Sequence, residues 1–293
     1  MESQWPDAPH LRIEEFELLR QLVNDQSGIS LSTDAIATVE RKLVERVLAL
    51  GLPGFKEYYL YLRNHPQRKS EAERAIDLVT TNETYFFREM TQLRAFQQEV
   101  LTQLKESARA RKRLVIWSAG CSTGEEVYTV AMLVARSNLF AGWDVRIIGN
   151  DISRRVLQVA RRGVYRESSF RAMPKEYEDC FVATSEGRSV RPEIRNLCHF
   201  GHFNLLDDAR VAMIGRVDAI FCRNVLIYFD QASRRRVIQA FYDRLEPQGY
   251  LMLGHSESLL HTSTAFELAH LHGDLAYRKP IKPDSFGPGL PRP

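Results

Sequence analysis

Apolar side chains recur at helical spacing through the first part of this chain and then change rhythm. Phe16, Leu19 and Val23 form one stripe, and Ile36, Val39, Leu43, Val47 and Leu50 a second, at the i, i+3/i+4 intervals that turn one helix face toward a core. Gly28 and Gly51 follow these stripes as stop signals, because glycine takes the left-handed turn that ends a helix at little cost. A third helix is predicted around Phe55, Tyr58, Tyr59 and Leu62, closed by Pro66, and a fourth from Ser70 to about Thr80. Residues 11–90 therefore read as an all-helical domain, and residues 91–113 as a linker helix ending in the basic run ARARKR.

Beyond that run, short apolar strands alternate with helical patterns. LVIWSAG (114–120), VRIIGND, VDAIFCRN and YLMLGHSES read as strands; GEEVYTVAMLVARS, SRRVLQVARRG and ASRRRVIQAFYDRL read as helices between them. Such alternation predicts a parallel sheet covered on both faces, over residues 114–280. FELAHLHGDLAYRK is predicted to close the sheet as an antiparallel hairpin turning at Gly273 and Asp274. Residues 168–203 break the rhythm with short alternating runs around Ser185, Glu186 and Gly187, read as an inserted small β-subdomain. The Pro/Gly-rich end, 281–293, is expected to be a flexible tail.

Composition narrows the function classes. The 293 residues carry 40 Lys+Arg and 37 Asp+Glu, a formal charge of +3, with 44% hydrophobic and 26% charged residues. That is the balance of a globular protein and excludes a mainly disordered one. Near-neutral charge argues against wholesale binding of a nucleic-acid backbone. No apolar stretch reaches the ~18 residues of a membrane span, and MESQWPDAPH lacks the basic-then-apolar pattern of a secretory signal. Cys121, Cys180, Cys198 and Cys222 show neither CxxC pairing nor metal spacing, and the eight histidines contain no HExxH. A reduced, cytoplasmic protein without a metal is expected.

Ligands of open α/β sheets sit beyond the carboxyl ends of the strands. The first strand ends in SAGCSTGEEVY, where Gly120 and Gly124 permit a tight turn and Ser122 with Glu125 reads as a capping box. Asp151 ends the second strand, Asn204 follows HFGHF, and Arg223 and Asn224 end VDAIFC. Each of these residues alone could be a turn or a cap; together they outline a nucleoside pocket. Glu125 and Glu126 in the helix start would repel a pyrophosphate, and STGEE lacks the lysine of a phosphate-binding loop. A ligand with a cationic amine and a sulfonium suits that acidic turn. S-adenosylmethionine ranks first, with its ribose on Asp151, its ammonium near Glu126 and its adenine near Asn204.

TTNETYFFRE (80–89), SAGCSTGEEVY (118–128), GNDIS (149–153), FNLL (203–206) and IFCRNVLIYF (220–229) closely resemble CheR-type chemotaxis receptor methyltransferases, in the family order. The resemblance covers nearly the whole chain. It implies a Rossmann-like class I methyltransferase sheet with an N-terminal all-helical domain and an inserted β-subdomain. It further implies methyl transfer from S-adenosylmethionine to glutamate side chains of methyl-accepting chemoreceptors, leaving S-adenosylhomocysteine. The family's cofactor contacts fall on Asn82, Thr84, Arg88, Glu126, Asp151, Asn204, Leu205, Arg223 and Asn224, and Tyr228 falls beside the methyl-transfer site. Val127 replaces a proline common after the glutamate pair. The insert is several residues shorter than in enteric members that grip a receptor C-terminal pentapeptide, which argues against tail tethering.

A glutamate nucleophile is ionised near pH 7 and needs no general base, so orientation is expected to dominate the transfer. Basic residues gather at Arg41, Lys42 and Arg46 and at Arg154, Arg155, Arg161 and Arg162; they are either solvated faces or a docking surface for the receptors' Glu-rich methylation helices. Two rivals stand beside this reading. One is a nucleic-acid or small-molecule methyltransferase on the same fold; the other is an S-adenosylmethionine-binding signalling adaptor without turnover.

Overall fold

The computed structural model describes residues 8–260 and 262–281, so the expected tail lies outside the described residues apart from Ile281. Four helices come first: α1 (Ile13–Ser27), α2 (Ile36–Ala49), α3 (Phe55–Asn64) and α4 (Arg68–Val79). The predicted stripes bury Phe16, Leu19, Val23, Val39, Leu43 and Val47 in one core with Phe55 and Tyr58. Gly28 ends α1 at φ +77°. Residues 80–89 form a strap without helix or strand. Helical backbone then runs through α5 (Met90–Ala95), a π-helical turn (Phe96–Val100) and α6 (Leu101–Ser107). It stops short of the predicted end at 113, because Lys112 turns left-handed (φ +46°) and Arg111 is drawn to Asp218 and Glu246, both at 2.7 Å.

The sheet domain follows: β1 (Arg113–Ala119), α7 (Glu125–Ser137), β2 (Asp144–Asp151), α8 (Arg154–Arg162), β3 (Val164–Tyr165), β4 (Phe181–Thr184), β5 (Gly187–Val190), α9 (Pro192–Arg195), β6 (Cys198–His202), α10 (Asp208–Ala212), β7 (Val217–Cys222), α11 (Gln231–Arg244), β8 (Leu245–Leu253), β9 (Glu267–Leu271) and β10 (Asp274–Arg278). Seven strands pair in the order β6-β2-β1-β7-β8-β10-β9, parallel from β6 to β8 and antiparallel at the β10–β9 edge. Chain order reverses between β1 and β7, the switch point where such sheets open a crevice. The continuous apolar run of β1 has a simple cause. Leu114 and Ile116 join the core on one face, while Val115, Trp117 and Ala119 join the core on the other.

Three details differ from expectation. β6 lies inside the stretch 168–203 yet pairs in parallel with β2, and the separate small sheet is β3-β5-β4, which starts at Val164. The hairpin loop is His272–Gly273, since Asp274 already pairs with Leu271. The strand predicted as YLMLGHSES starts earlier, at Leu245, and stops at Leu253, because Glu257 turns back onto the neighbouring loop.

Backbone and side-chain contacts dock the two domains. Ile29 bridges Phe229, the Ser30 N–H donates to Tyr228 O at 2.7 Å, Asn24 Nδ2 to Asp230 Oδ2 at 2.8 Å and Asn204 Nδ2 to Gln26 O at 2.9 Å. The basic residues of α2 are largely committed elsewhere. Arg46 clamps the buried Glu71 with two bonds of 2.9 and 2.7 Å, joined by the Tyr58 hydroxyl at 3.0 Å, and Lys42 donates to the last carbonyls around α4. Of the three, Arg41 alone is exposed. Arg154 pairs with Glu73, and Arg162 with Glu186.

A buried ion pair that loses one partner leaves the other charge stranded, typically at a cost of about 3–5 kcal/mol. Glu71→Ala should therefore destabilise the helical domain by about 3 kcal/mol, seen as a lower urea midpoint.

Candidate active site

A cavity of about 460 Å³ opens at the carboxyl ends of β1, β2, β6 and β7, roofed by the helical domain and the strap. That volume lies within the usual range for small-molecule sites. All of Asn82, Thr84, Arg88, Glu126, Asp151, Asn204, Leu205, Arg223, Asn224 and Tyr228 line it.

The floor is the turn after β1. Gly120 has φ +74°, and a Cβ there would lie 2.7 Å from Val225, so only glycine fits. Gly124, not Ser122, precedes α7, and no side chain caps that helix. The expected capping box is absent because Ser122 is used otherwise: its N–H donates to Asp151 Oδ2 at 2.9 Å and its hydroxyl to Asn82 O at 3.1 Å. Asp151 also accepts the Ser153 N–H through Oδ1 at 2.9 Å. Burial pushes its carboxyl above the ordinary range, against the pull of those N–H groups.

The two glutamates opening α7 divide their work. Glu125 turns away from the cavity to accept from Thr123 and Ser169, at 2.6 and 2.9 Å. Glu126 alone lines the cavity, accepting from the Ser118 hydroxyl at 2.8 Å and lying 3.5 Å from Arg223. Burial pushes the Glu126 carboxyl up, and the Arg223 guanidinium partly offsets this.

Arg223 has only 2% of its side chain exposed, and it is the hub of the site. It contacts Glu126, reaches Glu89 at 3.2 Å and donates to the Arg88 carbonyl. The strap is thereby tied to the sheet. Two aromatics tie it further. Phe86 packs against Tyr165, Phe170 and Phe181 of the inserted region, and Phe87 against Tyr177. Burying two such rings stabilises by about 2–3 kcal/mol each. This holds Phe87 and Glu89 in left-handed backbone, φ +60° and +56°, which non-glycine residues avoid. Neither Asn82 nor Thr84 caps a helix: Glu89 occupies the position before α5. Arg88 donates to Glu83 O at 3.0 Å, and Arg171 lies over the Tyr85 ring at 3.8 Å, at the strap's outer edge.

The far wall is the loop after β7. Asn224 is left-handed (φ +59°), and its buried Oδ1 has no hydrogen-bond partner among the described residues. The Asn204 amide is engaged at both ends, with Gln26 O and with the Leu206 N–H, so it offers the cavity little beyond its backbone. Asn150, which sequence reasoning passed over, links Trp117 to Phe203 and so holds the ends of β1, β2 and β6 in register. Glu89 and Glu257 were also passed over. Glu89 closes the motif TTNETYFFRE but was not assigned a contact, and the HSES run offered only a polar turn as a signal. Cys222 is fully buried in the sheet and lies outside the cavity lining.

A cavity at the switch point of a parallel sheet, with carboxylates in the first helical turn beside it, is the arrangement of an α/β ligand-binding domain rather than of a phosphate-loop protein. The comparisons give its family. The family profile "CheR methyltransferase, all-alpha domain" matches residues 14–80, and "CheR methyltransferase, SAM binding domain" matches residues 82–273. The chain is 33% identical to chemotaxis protein methyltransferase 2 of Vibrio cholerae, over 92% of this chain and 93% of that protein. It is 36% identical to the chemotaxis protein methyltransferase of Escherichia coli over 86% and 87% of the two chains, and 35% identical to chemotaxis protein methyltransferase 2 of Pseudomonas aeruginosa over 87% and 90%. The chain belongs to the CheR methyltransferase family, with an all-helical domain followed by an S-adenosylmethionine-binding domain.

The hub arrangement has a consequence independent of any ligand. Arg223→Met should release the strap, raising amide hydrogen exchange across residues 82–89 on the order of tenfold, equal to ~1.4 kcal/mol, with little change in β1 and β2.

Proposed function

We propose that this protein is a protein-glutamate O-methyltransferase acting in the cytoplasm, which esterifies glutamate side chains of chemoreceptor cytoplasmic domains for sensory adaptation. The observation that carries this reading is a pair of residues lining the cavity: Glu126, with a part-buried carboxylate, and Asn224, whose buried Oδ1 has no hydrogen-bond partner among the described residues. Both suit a cationic ammonium, and neither suits a phosphate. The relatives, named as chemotaxis protein methyltransferases, support a chemoreceptor as the acceptor.

S-adenosylmethionine, when bound, supplies an electrophilic methyl on a positively charged sulfur and is left as S-adenosylhomocysteine. On this reading Glu126 and Asn224 hold the ammonium end, Asp151 accepts from the ribose hydroxyls, and Leu205 with the Asn204 backbone borders the adenine. Arg223, Asn82 and Thr84 keep the strap closed over the site. Arg88 at the rim orients a carboxylate, and Tyr228 orients the incoming glutamate. The Tyr228 hydroxyl makes no hydrogen bond among the described residues, which leaves it free for substrate. No residue needs to act as a general base, since the glutamate arrives ionised. The chain's contribution is alignment of the two reactants and exclusion of water.

Purified protein incubated with methyl-labelled S-adenosylmethionine and receptor cytoplasmic fragments should place base-labile label on the receptor. Label on RNA instead, or cofactor binding without transfer to any receptor, would overturn the proposal.

The cavity's electrostatics give a second expectation. Glu126 is held above the ordinary carboxylate range by burial, and a bound ammonium favours its ionised form. Affinity for S-adenosylhomocysteine should therefore be full where Glu126 is ionised and should fall with acidification, beginning at a higher pH than an exposed glutamate would give. Calorimetry between about pH 8 and about pH 5 should show this fall. Glu126→Gln should flatten it and weaken binding about tenfold at neutral pH, ~1.4 kcal/mol.

A further inference from the structure

Glu257 stands behind the cavity wall and is not among its lining residues. Its carboxylate accepts four backbone N–H groups. Oε2 takes Asn224 at 2.7 Å and Gly254 at 2.9 Å; Oε1 takes Val225 at 2.9 Å and Leu226 at 2.7 Å. Three of these donors are consecutive residues of the loop that carries Arg223, Asn224 and Tyr228. Consecutive N–H groups converge on one point only when the backbone is bent into a concave turn, and here the left-handed Asn224 supplies the bend. A negative charge at the focus of that turn favours the bent state, because charge-assisted hydrogen bonds are the stronger kind. The fourth donor, at the end of β8, fastens the loop to the neighbouring strand. Packing around the clamp is tight: a Cβ on Gly254 would meet Glu257 Oε2 at 2.9 Å, Asn224 N at 3.0 Å and Asn224 Nδ2 at 3.1 Å.

We infer that Glu257 is a positioning residue for the methyl donor: its carboxylate imposes the backbone bend that presents the Asn224 amide and Tyr228 to the cavity. The inference rests on the proposed cofactor reading of that cavity. Either carboxylate oxygen serves two donors, so replacing one by an amide NH2 sets a donor against two donors, whichever way the group is turned. Glu257→Gln therefore opens the turn at unchanged side-chain volume. Gly254→Ala forces the same clamp apart while leaving its charge in place, and its backbone is not left-handed, so alanine brings no conformational strain of its own.

The test is calorimetric titration of S-adenosylhomocysteine into the full-length wild type, E257Q and G254A, each checked as folded by circular dichroism. Wild type should bind, and both variants should bind at least tenfold more weakly while folded. A purely structural role would lower their unfolding temperature and leave the affinity of the folded protein unchanged; that result overturns the inference. If one variant fails to fold, the other decides. Failure of both to fold assigns the clamp to global stability and overturns the inference as well. Absence of binding to wild type would instead remove the cofactor reading on which the inference stands.

Discussion

A single guanidinium, almost wholly removed from water, holds the site of this protein together. Arg223 lies between Glu126 of the sheet domain and Glu89 of the strap, and it also takes the carbonyl that precedes Glu89. A buried cation is tolerated only when several acceptors surround it, and here the acceptors come from two separate segments. The strap and the sheet domain are thereby joined through one buried charge: Glu126 offers the guanidinium an acceptor from the sheet domain, and the strap supplies two more.

Aromatic packing completes what the charge begins. Phe86 joins a cluster with Tyr165, Phe170 and Phe181, so the strap, the small inserted sheet and the main core share one hydrophobic unit. The inserted sheet thus has a structural duty at the cavity, apart from anything its outer face binds. The strained backbone at Phe87 and Glu89 is held by interactions on either side of it, which is how strained residues persist at functional sites.

Much of this was legible in the chain. Helical periodicity foretold the four leading helices, since their apolar stripes meet in one core. The alternation of strands and helices foretold a largely parallel sheet, and polar residues at strand ends pointed to the cavity. Three features escaped for physical reasons. β6 alternates only weakly because its residues are half-buried at a sheet edge, so it resembled a piece of the insert. Ser122 followed by Glu125 fits a capping box, but tertiary bonds to Asp151 and Asn82 claimed the serine. The bridge from Glu257 to residues some thirty positions earlier leaves no local periodicity at all. Likewise Arg46 and Lys42 appear as a charged face in sequence, whereas the fold spends them on Glu71 and on the end of α4.

The cavity takes its walls from both domains, with Ile29, Leu31 and Val39 on one side and Asp151, Leu205 and Asn224 on the other. Occupancy and interdomain docking are therefore two readings of one equilibrium, and linkage requires each to shift the other by the same factor. Whatever fills the space touches both halves of the molecule at once, so its entry and exit are felt in the seam between them.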